Sequence, residues 1–121
     1  MKEDIFITAR TICAPAEEEI SLLRMLCESG ERELEGRLRR GVSKEDCAAA
    51  FTCAAAWLAA AALENLRCAG EELSSLRAGD ISVTAAGAAE RSGRAELLRR
   101  QARRLMEPYC EDEFFFCGVE G

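Results

Sequence analysis

Side chains that carry out acid–base or nucleophilic catalysis are scarce in this sequence. Histidine is absent, which removes both the side chain most used for proton transfer near neutral pH and the commonest metal ligand. Without histidine, neither a Ser–His–Asp nor a Cys–His arrangement can form. No phosphate-binding loop of the type G-x-x-x-x-G-K-[ST] or G-x-G-x-x-G occurs either. We therefore predict that the protein is not an enzyme.

Two runs of acidic residues are the remaining source of paired carboxylates. The first is Glu17 to Glu19 and the second is Glu111 to Glu113. The first run follows a proline, and acids in a first helical turn are favoured by the helix dipole. The second run is typical of a solvated turn. We interpret both runs as structural, with catalysis as the minor alternative.

The cysteines do not have the spacing of metal ligands. Cys47 and Cys53 are six residues apart, which places them on different faces of a helix, and no C-x-x-C pair exists. We predict no metal and no cofactor, and we expect the thiols to act as small buried apolar groups. An odd count of seven, together with acid where a secretory leader has base, favours the reducing cytosol.

An arginine-rich segment is the strongest electrostatic feature. Between Glu90 and Arg104 there are six arginines and two glutamates, a local net charge of +4 in a chain whose net charge is −6. A DNA-binding patch is one interpretation, and a solvated helix face or a contact between subunits is the other. We favour the second, because neither a binding motif nor interleaved aromatic residues accompany the charge. The candidate interaction residues here are Arg99, Arg100, Arg103 and Arg104.

Three consecutive aromatic residues near the C-terminus are the strongest hydrophobic feature. Phe114, Phe115 and Phe116 cannot all face one core if the segment is extended, because neighbouring side chains alternate between faces. A strand packed wholly on its own domain and a strand added to a partner's sheet remain equal alternatives. All three are candidate interaction residues.

Most of the remaining sequence has the hydrophobic periodicity and the start and stop residues that are typical of helices. We interpret residues 4–13 as a short helix, although a strand also fits. A long helix is predicted from Ala14–Pro15 to Gly41. A second long helix is predicted to begin at Ser43, with Asp46 three residues later in a capping box, and to end at Gly70.

The segment 71–88 lacks this helical pattern. Gly79 and Asp80, followed by the alternation from Ile81 to Val83, predict an extended segment or a small β-hairpin. A third long helix is predicted from Glu90 to Tyr109, and a short strand or extended tail follows it. The predicted fold is therefore a single mainly α domain of residues 1–121, a bundle of three long helices with these additions.

The second long helix has an apolar stretch at residues 47–63. Its length of 17 residues is at the short limit for crossing a bilayer, and it is rich in alanine and lacks aromatic belts and flanking basic loops. We predict a central helix covered by protein and no membrane partner. Because much of its surface is small alanine side chains, we expect another subunit to cover part of it.

Several local strings resemble the small head–tail connector (neck or adaptor) proteins of tailed bacteriophages and their prophage relatives. The resemblance covers about residues 17–119 and depends on the order and spacing of the strings. They are Glu33-Leu34-Glu35-Gly36-Arg37-Leu38, Val42-Ser43-Lys44-Glu45-Asp46, Ala56-Trp57-Leu58-Ala59, Ala78-Gly79-Asp80-Ile81-Ser82-Val83, Ala95-Glu96-Leu97-Leu98 and Met106-Glu107-Pro108-Tyr109. The alanine- and cysteine-rich second helix and the phenylalanine-rich end depart from the family pattern.

The resemblance implies a subunit of a homo-oligomeric ring in the virion, assembled in the bacterial cytoplasm. Such a ring lies between the portal protein and the tail-completion proteins, and DNA passes through its channel without sequence-specific binding. The loop or hairpin that makes contacts in this family corresponds here to residues 74–84, with Asp80, Ile81 and Val83 as interaction residues. The alternative function is a small helical DNA-binding or regulatory protein that uses the arginine-rich helix.

Overall fold

Four α-helices make up most of the chain that the structure describes. The computed structural model describes the backbone of residues 1–78 and 81–111 and the side chains of residues 1–69 and 93–111. In chain order the helices are α1 (Lys2–Cys13), α2 (Ile20–Glu35), α3 (Ala48–Ala78) and α4 (Ile81–Met106), with a 3₁₀ turn at Glu17–Glu19 before α2. The prediction of a mainly α fold is confirmed.

Helix α1 settles the choice between helix and strand at the N-terminus in favour of the helix. Ile5, Phe6, Ala9 and Cys13 are buried, which is the i, i+1, i+4, i+8 pattern of one helical face. The helix ends where Ala14 takes a left-handed conformation with φ of 42°. The chain reverses there, so that α1 and α2 pack against each other.

Helix α2 ends six residues before the predicted glycine. Its buried stripe includes Leu23, Cys27 and Leu34, as the periodicity predicts. However, the helix stops at Glu35, and Arg39 instead donates its backbone N–H to the carbonyl of Tyr109 at 2.9 Å. The segment predicted as the last turn of a helix pairs with a distant part of the chain, and local propensity cannot reveal such a pairing.

The predicted capping pair before α3 forms, although α3 begins later than expected. The carboxylate of Asp46 accepts the backbone N–H of Ser43 at 2.9 Å, and this hydrogen bond lowers the pKa of Asp46. Residues 44–47 form a turn that leads into Ala48, the first residue of α3. The predicted N-cap, Ser43, therefore lies five residues before Ala48, where α3 begins.

Helix α3 is the centre of the fold and contacts α1, α2 and α4. Every residue from Phe51 to Glu64 is buried or half-buried, and Phe51 and Leu63 are at most 1% exposed. The prediction of a central helix is confirmed. We expected another subunit to cover part of its alanine surface. Over residues 51–64 every residue of α3 is already buried or half-buried within the single chain, and contact with a second subunit stays a prediction.

The predicted hairpin at 71–88 is wrong for the residues that the structure describes. Residues 71–78 continue α3, and residues 81–88 are the first turns of α4. Gly70 therefore does not end the helix, and Ile81 and Val83 are helical instead of extended. Two long helices packed along each other stabilise helical structure that short segments lack alone. Among the described residues the only β pairing is one antiparallel bridge between Leu38 and Cys110.

Gly30 allows close contact between α2 and α3. A Cβ atom built on Gly30 would lie 3.0 Å from the carbonyl oxygen of Ala55 and 3.6 Å from Cβ of Leu58. The first of these is a backbone atom of α3, which cannot move away without moving the helix. Gly30 therefore has a packing role that outweighs its poor helix propensity.

Two helical glycines are expected to respond in opposite directions to the same substitution. Gly93→Ala should stabilise the protein by about 0.5–1 kcal/mol, because Gly93 is exposed within α4 and its Cβ would meet nothing within 4 Å. Gly30→Ala should destabilise it by about 1–3 kcal/mol through overpacking. Urea unfolding followed by circular dichroism would measure both, and two changes of the same sign would contradict this account.

Candidate interaction surface on helix α4

The C-terminal half of α4 presents the predicted arginines around its outer side. Ala95, Ala102 and Met106 are at most 1% exposed and face the core. Arg100 and Arg104, four residues apart, are exposed, whereas Arg99 and Arg103 flank them and are half-buried. The four arginines therefore lie on one helix, but only two of them project from its most exposed strip.

Most of this positive charge is not compensated within the described side chains. Arg103 lies 3.9 Å from Glu96, a distance at which the attraction is weak. Among the side chains at 1–69 and 93–111, no ion pair to Arg99, Arg100 or Arg104 is present. Leu97, 51% exposed, lies three residues before Arg100. The exposed strip of α4, formed by Leu97, Arg100 and Arg104, therefore combines positive charge with one apolar side chain.

A loop from elsewhere in the sequence is hydrogen-bonded to the segment that follows α4. Arg39 donates its Nε–H to the carbonyl of Cys110 at 3.0 Å, and the backbone N–H of Glu111 donates to the carbonyl of Arg37 at 3.1 Å. These bonds bring the exposed Arg40 to the end of α4, although exposed Glu107 and Glu111 lie there too. Sequence reasoning missed this juxtaposition because it placed the loop arginines in a helix, and no local signal reports the pairing.

Two of the remaining predicted interaction residues, Ile81 and Val83, do not join the arginines in one site. Ile81 and Val83 lie in the first turn of α4, and the 18 residues from Ile81 to Arg99 correspond to about 27 Å of helix. Asp80 lies outside the described residues. The same holds for Phe114, Phe115, Phe116 and the predicted C-terminal strand.

Among the side chains that the structure describes, the most extensively bonded polar cluster is centred on Arg67 of α3. Its Nε and Nη2 donate to the two carboxylate oxygens of Glu19 at 3.1 and 2.7 Å. Its Nη1 donates to Glu64 at 3.0 Å and to the carbonyl of Cys13 at 3.2 Å. These bonds link α1, the 3₁₀ turn and α3, and the hydrogen bonds to Glu19 raise the pKa of Arg67. The cluster is a structural ion-pair network, because its carboxylates are engaged by the arginine.

The first acidic run has the structural role that we predicted for it. Glu19 accepts the backbone N–H of Ala16 at 2.9 Å in addition to its bonds from Arg67. Glu17 and Glu18 are exposed in the same turn. The carboxylate of Glu19 therefore stabilises the start of α2.

The thiols behave as core groups. Five of the six described cysteines are buried, and Cys53 is half-buried. Burial raises the pKa of Cys27 and of Cys110 to about 11, so both stay protonated and poorly nucleophilic at neutral pH. Among the described residues, no group of three or more Cys, Asp or Glu side chains is arranged to hold a metal ion.

One described helix segment passes the length and composition test for a membrane span. It is Ala48–Ala69 of α3, with a mean hydropathy of 1.4. More than half of its most apolar stretch is buried inside the protein, as is usual for the core helix of a bundle.

Comparison with known protein families, with curated proteins and with solved structures found no match to this chain.

Proposed function

We propose that this protein is a non-catalytic assembly subunit of the head–tail connector type, which docks through the outer strip of α4. The observation that carries the proposal is the exposed pair Arg100 and Arg104 beside exposed Leu97, in a chain that is otherwise acidic. The order of the sequence strings that resemble connector proteins supports the specific form, a ring of identical subunits between portal and tail-completion proteins.

An acidic surface on a second copy of the chain is the partner that this strip fits. The whole chain has a net charge of −6 and the segment Glu90–Arg104 has +4, so the rest of the chain carries −10 and can supply a complementary acidic surface. A contact between two different surfaces of identical subunits is heterologous and closes into a ring when the rotation allows. The hairpin that the connector family uses for such contacts is not part of the proposal, because residues 81–84 are helical.

The first test has two parts, which are the identity of the neighbouring genes and the formation of a complex with the portal protein that they encode. We expect genes for a portal protein and for tail-completion proteins beside this one. Co-expression with that portal protein should yield a multi-subunit complex by native mass spectrometry. The variant Arg100→Glu/Arg104→Glu should lose the complex while staying folded.

The matched control changes the same charge elsewhere. Arg10 on α1 and Arg32 on α2 are also exposed, so Arg10→Glu/Arg32→Glu should keep the complex. A locus without portal or tail genes, or equal behaviour of the two double variants, would contradict the proposal.

DNA binding is the second candidate function, and the uncompensated arginines of α4 favour it. It predicts an affinity for duplex DNA that falls steeply as salt is raised, because bound arginines release counterions from phosphates. Replacing Arg99, Arg100, Arg103 and Arg104 with Glu should abolish this affinity. Fluorescence anisotropy with a labelled duplex at low and physiological salt would measure it, and no binding at low salt would eliminate the candidate.

A further inference from the structure

A cleft between α1 and α2 has an apolar floor. Its volume is about 230 Å³, enough for roughly eight water molecules and smaller than the pockets that hold drug-sized molecules. Ile5, Phe6 and Cys27 line it and are at most 5% exposed. A molecule bound there would be small and would place an apolar portion against these three side chains.

A buried carboxylate also lines the cleft. Glu31 is only 5% exposed, and its Oε2 accepts a hydrogen bond from Nζ of Lys44 at 2.9 Å. Within the described side chains, its other oxygen, Oε1, accepts no hydrogen bond. A carboxylate can accept several hydrogen bonds, so this oxygen can accept one from a further N–H donor.

The charges at the rim largely cancel. Lys2 lies 3.4 Å from Glu28, and Arg24 lies 3.4 Å from Glu3, with all four side chains about half exposed or more. Exposed pairs at this distance contribute little and exchange readily with solvent. The guanidinium of Arg24 lies 4.0 Å from the ring centre of Phe6, so this ring already attracts a cation.

We propose that this cleft binds a small organic cation, an alkylammonium group whose N–H donates to Oε1 of Glu31 and whose short apolar chain packs on Ile5 and Phe6. We expect a negatively charged molecule of the same size to bind much more weakly, because it would face the Glu31 carboxylate. The site lies on α1 and α2 and does not depend on the docking role of α4.

Titration of the ¹⁵N-labelled protein with butylammonium, followed by amide shifts, tests the site. We expect shifts centred on the residues that line the cleft, with a Kd on the order of 1–10 mM for so small a ligand. Butyrate has the same length and the opposite charge, and it should cause no such shifts. Glu31→Gln should weaken butylammonium binding by about tenfold or more, because it removes a charge-assisted hydrogen bond.

Glu35→Gln is the matched control. Glu35 also lies near Lys44, at 3.7 Å, but does not line the cleft, so this variant should bind as tightly as the wild type. Equal binding of butylammonium and butyrate, no saturable shifts from either, or unchanged binding in Glu31→Gln would each overturn the proposal. The comparison of the two ligands uses the unaltered protein, so it decides the matter even if Glu31→Gln fails to fold.

Discussion

Arg67→Ala should destabilise the protein by about 3 kcal/mol, the cost of removing one partner from a largely buried ion pair. The substitution takes away four hydrogen bonds, two of them to Glu19, one to Glu64 and one to the carbonyl at the end of α1. The Glu64 side chain is only 4% exposed, so water cannot readily replace the guanidinium. Urea unfolding at pH 7 followed by circular dichroism would measure the loss.

Arg24→Ala is the matched control for this prediction. The Arg24 side chain is 54% exposed and its pair with Glu3 is 3.4 Å long, so its removal should cost only about 1 kcal/mol or less. Arg67→Lys should lie between the wild type and Arg67→Ala, because an ammonium cannot supply the two parallel bonds to Glu19. Equal losses for Arg67→Ala and Arg24→Ala would refute the view that the Arg67 cluster holds α1, the 3₁₀ turn and α3 together.

Stability should fall steeply as the pH rises from about 9 to 11. Burial raises the pKa of Cys27 and Cys110 from 9.0 to about 11, whereas the unfolded chain loses these thiol protons near pH 9. In this window the folded state holds more protons than the unfolded state, so stability is fully present below pH 9 and is lost as the pH rises. Two pKa units correspond to about 3 kcal/mol for each thiol.

The double variant Cys27→Ala/Cys110→Ala should show a much shallower decline over the same window. Chemical denaturation of both proteins at a series of pH values would provide the comparison. Between pH 6 and 8 the two curves should run parallel, because none of these thiols titrates there, and this range serves as the internal control. Parallel curves from pH 9 to 11 as well would show that the two thiols are not held in their neutral form by burial.

The helices show which features local sequence patterns were sufficient to predict and which they were not. The stripe of Leu23, Cys27 and Leu34 marked the buried face of α2 correctly, because a period of 3.6 residues reports which side faces a core. The end of α2 was wrong, since the backbone of Arg39 bonds to Tyr109, 70 positions away. The hairpin prediction was wrong over residues 71–78 and 81–88, because it gave a glycine and a short alternation of apolar residues more weight than packing between helices.

The candidate interaction surface was foreseen in part. The net charge of the arginine-rich segment follows from the residues alone, but the choice of Arg100 and Arg104 as the exposed pair depends on how α4 packs on α3. The position of Arg40 near the end of α4 depends on the bridge between Leu38 and Cys110. Exposure and juxtaposition are properties of the folded chain, so neither could be taken from composition.

By itself the sequence determined the helical class, the central position of the alanine-rich helix and the lack of histidine chemistry, because helix propensity, hydrophobic periodicity and composition are local properties. The tertiary structure alone decided that α3 continues past Gly70, that Arg67 binds Glu19 and Glu64, and that Glu31 lines a cleft with Phe6. Each of these depends on contacts between residues far apart in the chain. The free energy of such contacts exceeds the local conformational preferences of a short segment, which are all that its sequence indicates.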